Sequence, residues 1–593
     1  MVIHLKGLVE VNTGYMGNTM YAYLMMLSMQ TTLSMAKPTA YSVGSIPSPA
    51  NAIQPLDGFV SYSIEFSSFP DFAGKISHPS QWHDLKGKTG NKSYPNDFSN
   101  NLLDNLGAFS GIKPYIRVGG NTQDFAIFNP ELPFALNGTY NLSRSADYPT
   151  TIEIGPSYFE SYGTWPDVRF SHGFNMGGNH DDRQWQTLLQ TVPLACEALG
   201  RDNLYLWEYG NEPDLFVPAV RTADYDEKDY VAEWLNGTRA IRSVLQESCP
   251  NLLGNDTYGF LAPSFAGTTN HLKQPQTWAD GINADGDIKL FSSHNYISGA
   301  ETPGVTLQGT LMNHTRTALS VGVHAAQNAA IQPGVPYILG ETNSLYHQGR
   351  PGLSNSFGAA LWALDFALQC AAVGIGRVHF HMGTNYRYAS WQPIPTNKTS
   401  IGTKPPYYGN VAASAFLGPP GTLIAAVPLS SSSSSSSSGD LDPDTDAAYA
   451  AYSPATGALS RLLVLNLRAY NYTLDGAGGP ELNPAARPGR MYRFTGVDSG
   501  VTKEARGTGS GERGGEGGGG EVIVRRLHAN GSDAVTGITW DGWSYNYELD
   551  RGRPVRLENV TVGERVGVVD GAVEVNVYDS EAVVLDFEAE EEG

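Results

Sequence analysis

The sequence predicts an α/β protein, a (β/α)8 barrel followed by an all-β sandwich, and three observations carry that expectation. Short β-type runs alternate with longer helical patterns between about residues 57 and 385, and eight such runs can be counted. Two of them end in a glutamate where a strand gives way to a loop. Beyond residue 415 the texture changes to strand-length apolar runs separated by turn-rich spacers. Alternating strands and helices indicate a parallel sheet with crossover helices, eight strands close a barrel, and runs of strands alone indicate a sandwich.

In chain order, residues 1–38 form an irregular N-terminus. Tyr15 to Ala36 is uncharged and Met-rich and follows Lys6, which loosely resembles a secretory signal, although Asn18, Ser28, Gln30, Thr31 and Thr32 interrupt the apolar run. Residues 39–56 are expected to add a strand to the sandwich. The barrel, residues 57–415, has its strands at Phe59–Phe66, Tyr115–Gly119, Arg169–Asn175, Leu204–Tyr209, Phe260–Phe265, Lys289–Tyr296, Tyr337–Leu339 and Arg377–His381. Helical spacing with polar cap residues marks the segment from Asn96, the stretch Asp181 to Leu199 and the stretch Asp226 to Gln246. The sandwich, residues 416–593, includes runs such as Leu462 to Leu467, Glu521 to Val524 and Ala582 to Asp586. Two insertions interrupt it, the nine serines Ser430–Ser438 and the glycine-rich stretch Gly507–Gly520. Neither buries enough apolar area to offset its ordering entropy, so both are expected as surface loops.

At 593 residues the chain exceeds one core, and 41% hydrophobic residues with 11% aromatics suit a globular protein. A net charge of -21 argues against nucleic acid or an anionic membrane as partner. No segment after the N-terminus approaches the ~18 apolar residues of a membrane span. Cys196, Cys249 and Cys370 allow at most one disulfide, match no zinc motif, and read mostly as core residues. Ten Asn-X-Ser/Thr acceptors, from Asn91 to Asn559, predict N-glycosylation if the protein is secreted.

The chemistry rests on two segments. Leu204-Tyr-Leu-Trp-Glu-Tyr-Gly210 runs into Asn211-Glu212-Pro213, and Pro336-Tyr-Ile-Leu-Gly runs into Glu341. In a barrel, the fourth and seventh strand ends face each other roughly across the mouth, where catalytic groups sit. Two converging carboxyls are what glycoside hydrolysis requires, one to protonate the leaving oxygen and one to attack or to activate water.

Trp207-Glu-Tyr-Gly-Asn-Glu-Pro-Asp214, Leu339-Gly-Glu-Thr-Asn-Ser344, Arg117-Val-Gly-Gly-Asn-Thr-Gln-Asp124 and Ser293-His-Asn-Tyr296 together resemble glycoside hydrolase family 79, the clan A group of β-glucuronidases and heparanases. The likeness is strongest to its fungal β-glucuronidase-like branch, over residues 55 to 415, and weaker in the sandwich. It implies a retaining mechanism with Glu212 as acid/base and Glu341 as nucleophile, without metal or organic cofactor. Asn211 is then placed to hydrogen-bond the sugar 2-hydroxyl, or else to stabilise its loop. Tyr296 would hold the Glu341 carboxylate or pack at the core edge. His294 is expected one layer deeper as a structural histidine unless a bulge intervenes. Arg117 would fix the nucleophile by a charge-assisted bond or form a structural ion pair. Glu65 would touch sugar hydroxyls, the family placing a polar residue there, or support the site from behind; Asn121 and Asp124 fit either job. The strand-end loops show no lysine or arginine cluster for a uronic acid. The resemblance implies tyrosine hydroxyls and backbone amides instead, and Tyr346, Tyr386, Tyr388 and Gly383 are the candidates. Trp391 would stack on a sugar or fill a gap against the sandwich.

The expected function is thus a secreted, N-glycosylated retaining exo-β-glucuronidase removing terminal glucuronic acid, with or without a 4-O-methyl group, from glycans. The alternatives are another clan A β-glycosidase, a heparanase-like endo-β-glucuronidase, or a non-catalytic carbohydrate-binding wall protein.

Overall fold

A computed structural model describes residues 40–74, 95–177, 182–254, 257–429, 441–497 and 520–587. The signal-like stretch, the serine tract, nearly all of the glycine-rich stretch and the acceptors Asn91 and Asn255 lie outside them. Eight parallel strands close the barrel in chain order: β1 (Val60–Glu65), β2 (Ile116–Gly119), β3 (Phe170–Phe174), β4 (Leu204–Tyr209), β5 (Phe260–Phe265), β6 (Ile288–Gly299), β7 (Tyr337–Tyr346) and β8 (Val378–Met382). All eight expected strands are present. The difference lies in β6 and β7, which continue past their expected ends, pairing from His294 with Glu341 to Gly299 with Tyr346. The register shifts between Ser293 and His294 and again between Leu339 and Thr342, so both strands carry irregularities beside the nucleophile candidate. Such bulges re-aim side chains without ending a strand.

The helices have local causes. Asn96 caps Asp97–Ser110 by accepting from the Ser99 amide, and Asp226 opens Glu227–Ser248 with a capping box. Between β2 and β3 the expected alternation breaks. A three-stranded sheet, Ala126–Phe128, Leu136–Thr139 and Thr151–Ile154, stands there with short 3-10 turns in place of a regular helix. Cys196 and Cys249 form a disulfide, which corrects their reading as core thiols, while Cys370 is free and buried. Spacing alone does not reveal such pairing, because Cys196 lies within one helix and Cys249 just past the end of another, and packing brings them together.

Beyond the barrel, nine strands pair in a continuous path: Tyr41–Ser42, Gly489–Thr495, Ala572–Tyr578, Glu564–Val569, Glu521–His528, Glu581–Asp586, Leu459–Asn466, Asp446–Tyr452 and Leu423–Ala426. Alternate residues serve two cores. Ala448, Ala450, Leu462, Val464, Val583 and Leu585 pack with Phe494, Val573 and Val575 inside the β domain, whereas Ala447, Tyr449, Leu463, Leu465, Ala582 and Val584 join the barrel's own core. A strand buried on both faces reads as a continuous apolar run, which is how these segments look in sequence. Tyr449 donates to Asp365 Oδ1 at 2.8 Å on the buried helix Phe357–Ala372, tying the layers together. Trp391 is fully buried and donates to Ser99 at 3.0 Å, so it fills the core rather than facing a sugar.

Candidate active site

The bottom of the barrel is closed by Leu206, Leu261, Leu290 and Ile338. Two residues above Leu206 on β4 is Glu208, and there the interior turns polar. Glu208 is buried and accepts from Arg117 Nε at 3.1 and 2.9 Å and from Ser264 at 2.6 Å. Arg117, fully buried, spends the rest of its guanidinium on the site. Nη1 donates to Ser63 at 2.9 Å and to Glu341 Oε2 at 2.7 Å, and Nη2 donates to Asn211 Oδ1 at 2.8 Å. The glycine that ends β2 and the one that follows it make room for this. A Cβ on Gly119 would lie 2.8 Å from Arg117 Cζ, and one on Gly120, at φ +102°, would lie 2.9 Å from Glu65 Oε1.

Glu341 is held at both oxygens, Oε2 by Arg117 and Oε1 by the Tyr296 hydroxyl at 2.7 Å. Glu212 stands opposite in a left-handed conformation, φ 52°, which is sparsely populated for glutamate. Its amide donates to Ser264 O at 3.0 Å, and its carbonyl accepts from Leu215 at 2.9 Å. Asp214 pins the same turn by accepting from the Ala266 amide at 2.9 Å and Asn270 at 2.8 Å. The Glu212 side chain meets His294 Nδ1 at 2.9 Å. One oxygen each of Glu212 and Glu341 and a ring nitrogen of His294 all lie within 4.8 Å of one another.

The two carboxyls are driven apart electrostatically. Burial first, and then the negative charge of Glu341, raises the Glu212 pKa well above the carboxylate range. Burial also pushes Glu341 upward, but His381, His294, Arg117 and the Tyr296 hydrogen bond together outweigh it and hold its pKa low. His294 is itself pushed down to about 4 by burial. It is therefore neutral at ordinary pH, which leaves Arg117 as the permanent positive charge bonded to Glu341. A protonated and an ionised carboxyl facing one another make an acid and a nucleophile.

Each expected site residue has a definite place. Glu65, Asn121, Tyr296, Tyr346, Tyr388, His294 and both glutamates line one cavity of about 1070 Å³. Asn211, Arg117 and Asp124 stand behind it. Asp124 accepts from the amides of Met176, Gly177 and Asn211 at 2.9, 3.1 and 2.8 Å and thereby fixes the Asn-Glu turn. Burial raises its pKa to about 7. Asn211 also donates to Asn121 at 3.4 Å. Tyr386 is buried and donates to Glu65 Oε2 at 3.0 Å, while Glu65 Oε1 accepts from the Thr122 amide and hydroxyl at 2.9 and 2.6 Å. Gly383 admits the Tyr386 ring, which a Cβ there would meet at 2.5 Å. His294 departs from the expectation of a deeper structural role, because the bulge beside it turns it onto Glu212.

Two residues escaped the sequence reading. Glu208 is a charged residue inside an apolar strand, four positions before Glu212, and that was the available signal. His381 is the penultimate residue of β8, with Nδ1 2.9 Å from Ser63 and 3.5 Å from Glu341 Oε2, and Nε2 3.6 Å from Glu65 Oε2. Burial lowers its pKa, yet the carboxylates of Glu341 and Glu65 prevail and raise it. Its role is invisible in sequence because both partners come from other strands.

Comparison with known proteins places this geometry. Residues 448–584 match the glycosyl hydrolase family 79 C-terminal beta domain. A β-glucuronidase of Neurospora crassa is 52% identical over 559 residues, covering 89% of this chain and 94% of that protein. A β-glucuronidase of Aspergillus niger is 48% identical over 571 residues, covering 93% and 96%. Among solved structures, a 4-O-α-L-rhamnosyl-β-D-glucuronidase from Fusarium oxysporum superimposes with a TM-score of 0.66 at 24% identity, covering 92% of this chain and 100% of that one. A family 51 α-L-arabinofuranosidase from Bifidobacterium longum does so with a TM-score of 0.55 at 11% identity, covering 93% and 100%. These two likenesses are of fold.

Proposed function

The chain belongs to glycoside hydrolase family 79, and from that premise we propose that it is a retaining exo-β-glucuronidase acting on terminal β-linked glucuronic acid. The observation that carries the mechanism is the approach of Glu212 and Glu341 to within 4.8 Å at their oxygens. Double displacement uses carboxyls about 5–5.5 Å apart, whereas inversion leaves about 6.5–9.5 Å for a water. Glu341, ionised and oriented by Arg117 and Tyr296, attacks the anomeric carbon while Glu212 gives its proton to the glycosidic oxygen. Glu212, now a carboxylate, then takes a proton from the water that hydrolyses the glycosyl-enzyme.

Residues 142–148, in the loop between Leu136–Thr139 and Thr151–Ile154 of the small sheet inserted after β2, form one wall of the cavity. Arg387 pins this wall to the loop after β8 through Asp147 at 2.8 Å. A wall fixed in this way favours capture of a chain end over passage of a polymer. Tyr388, Tyr346 and neighbouring backbone, rather than a basic cluster, are the proposed partners of the uronate carboxylate. Secretion belongs to the same reading, supported by the disulfide and by the acceptor asparagines, none of which is buried among the described residues. A mass shift on glycan removal from the protein secreted by its source cells checks it.

The test of function is chromophore release from an aryl β-D-glucuronide beside the matching β-glucoside. The wild type is expected to turn over the glucuronide and Glu341→Ala to abolish that turnover. Turnover of the glucoside alone would contradict the uronic acid assignment.

A further inference from the structure

We propose that Asn141 carries an N-linked glycan whose first N-acetylglucosamine lies against the Tyr140 ring and the Leu142 side chain. This rests on the secreted reading and is independent of the glucuronidase chemistry. Tyr140 and Leu142 flank Asn141 in the acceptor Asn141-Leu-Ser143, and they are 43% and 76% exposed although both are large and apolar. Exposed apolar side chains scattered singly need no explanation. Two of them on either side of a glycan acceptor match the C–H face and the acetamido methyl group of the sugar that acceptor receives.

The local geometry turns the amide nitrogen outward. The Asn141 carbonyl accepts from the amides of Arg144 and Ser145 at 2.9 and 3.0 Å, which closes a turn. Asn141 Oδ1 accepts from the Ser143 amide at 3.1 Å and from the Ser143 hydroxyl at 2.6 Å. With Oδ1 held inside the turn, Nδ2 faces away from it, on a residue that is itself exposed. Other acceptors are engaged differently. Asn313 Oδ1 caps a helix by accepting from the Arg316 amide, and the Thr315 hydroxyl goes to Pro443 O. Asn471 Oδ1 accepts from Ser532, and the Thr473 hydroxyl goes to Asp475. At Asn141 the acceptor's own hydroxyl fixes the asparagine.

On attachment, Nδ2 gives up one proton and bonds C1 of N-acetylglucosamine. The bond from that carbon to the diphosphate of a lipid-linked oligosaccharide breaks, and the diphosphate leaves with the electron pair. The sugar then covers Tyr140 and Leu142, and burial of that apolar area steadies the turn.

Glycopeptide mapping of the protein secreted by its source cells is expected to find Asn141 occupied in wild type and in Ser143→Thr, but not in Ser143→Ala. Amide hydrogen exchange over residues 140–148 reads the contact. Exchange in Ser143→Ala is expected to be about fivefold faster than in wild type, whereas wild type trimmed to a single N-acetylglucosamine by an endoglycosidase keeps its protection. Tyr140→Ser/Leu142→Ser, still glycosylated, is expected to exchange as fast as Ser143→Ala, and adding Ser143→Ala to it to change the rate little. An empty Asn141 beside occupied acceptors elsewhere would overturn the proposal and leave secretion standing. Equal exchange with and without the glycan, or protection lost on trimming, would do the same. No glycan on any acceptor would overturn both.

Discussion

Arg117 decides the electrostatics of the site, because one buried guanidinium serves two carboxylates, Glu208 and Glu341, and an amide, Asn211. With Arg117 and His381 beside it, Glu341 stays ionised while burial and Glu341 itself keep the proton on Glu212. The kcat/KM profile should therefore fall in acid as Glu341 takes up a proton and in base as Glu212 loses one. Tyr296→Phe removes a bond made to the ionised form of Glu341, so its pKa rises and the acid limb moves to higher pH. A limb that stays in place, measured against wild type, would reduce Tyr296 to packing. Glu212→Gln removes the proton donor. Its loss of kcat/KM should be about 10²–10⁴-fold for alkyl glucuronides and much smaller for nitrophenyl glucuronides, whose leaving group needs little protonation. Equal losses on both would assign the acid elsewhere. The two glutamates were legible in sequence because each follows an apolar strand-length run, whereas His381 was not, since its partners Ser63, Glu65 and Glu341 arrive from β1 and β7.

At the scale of elements, the site depends on close approaches that only glycine permits and on two register shifts. Gly119→Ala places a methyl group 2.8 Å from Arg117 Cζ and 2.8 Å from Gln123 Oε1. Displacing the guanidinium displaces Glu341, and a misplacement near 1 Å is expected to cost about 10²-fold in kcat. Steady-state kinetics beside a thermal unfolding scan checks this, and unchanged kcat in a folded variant would contradict the packing argument. The existence of β1–β8 was legible because each is a short apolar run between helical patterns. The end of β7 was not, because the residues that extend it, such as Thr342, Asn343 and Ser344, are polar and look like loop. They stay in strand because they are buried at the barrel mouth and their bulged pairing continues. Likewise the small sheet after β2 stands where alternation predicts a helix, and its three strands of three or four residues are too short to mark themselves in sequence.

For the molecule as a whole, barrel and β domain share one core. Tyr449, Leu463, Leu465 and Val584 from the β domain pack with the barrel's residues, and Tyr449 satisfies the buried Asp365, which also meets His314 at 2.9 Å. A chain ending after Leu417 would expose that apolar face and leave Asp365 short of a donor. It is expected to be insoluble or unfolded, and the intact protein to unfold in one transition. Calorimetry showing two separate transitions, or a soluble active truncation, would contradict the shared core. The change from alternating to all-β texture near residue 415 announced the second domain. The sharing of its inner sheet with the barrel was not evident, because a sandwich strand and a doubly buried strand have the same apolar run.

The central claim is that Glu341 forms a covalent glucuronyl intermediate while Glu212 serves as acid and then base. Incubation with 2-deoxy-2-fluoro-β-D-glucuronyl fluoride, followed by intact mass and peptide mapping, tests it most directly. The account predicts one fluoroglucuronyl group per chain, attached to the peptide carrying Glu341 and absent from Glu341→Ala. Turnover of glucuronides with no adduct, or an adduct on another residue, would contradict it.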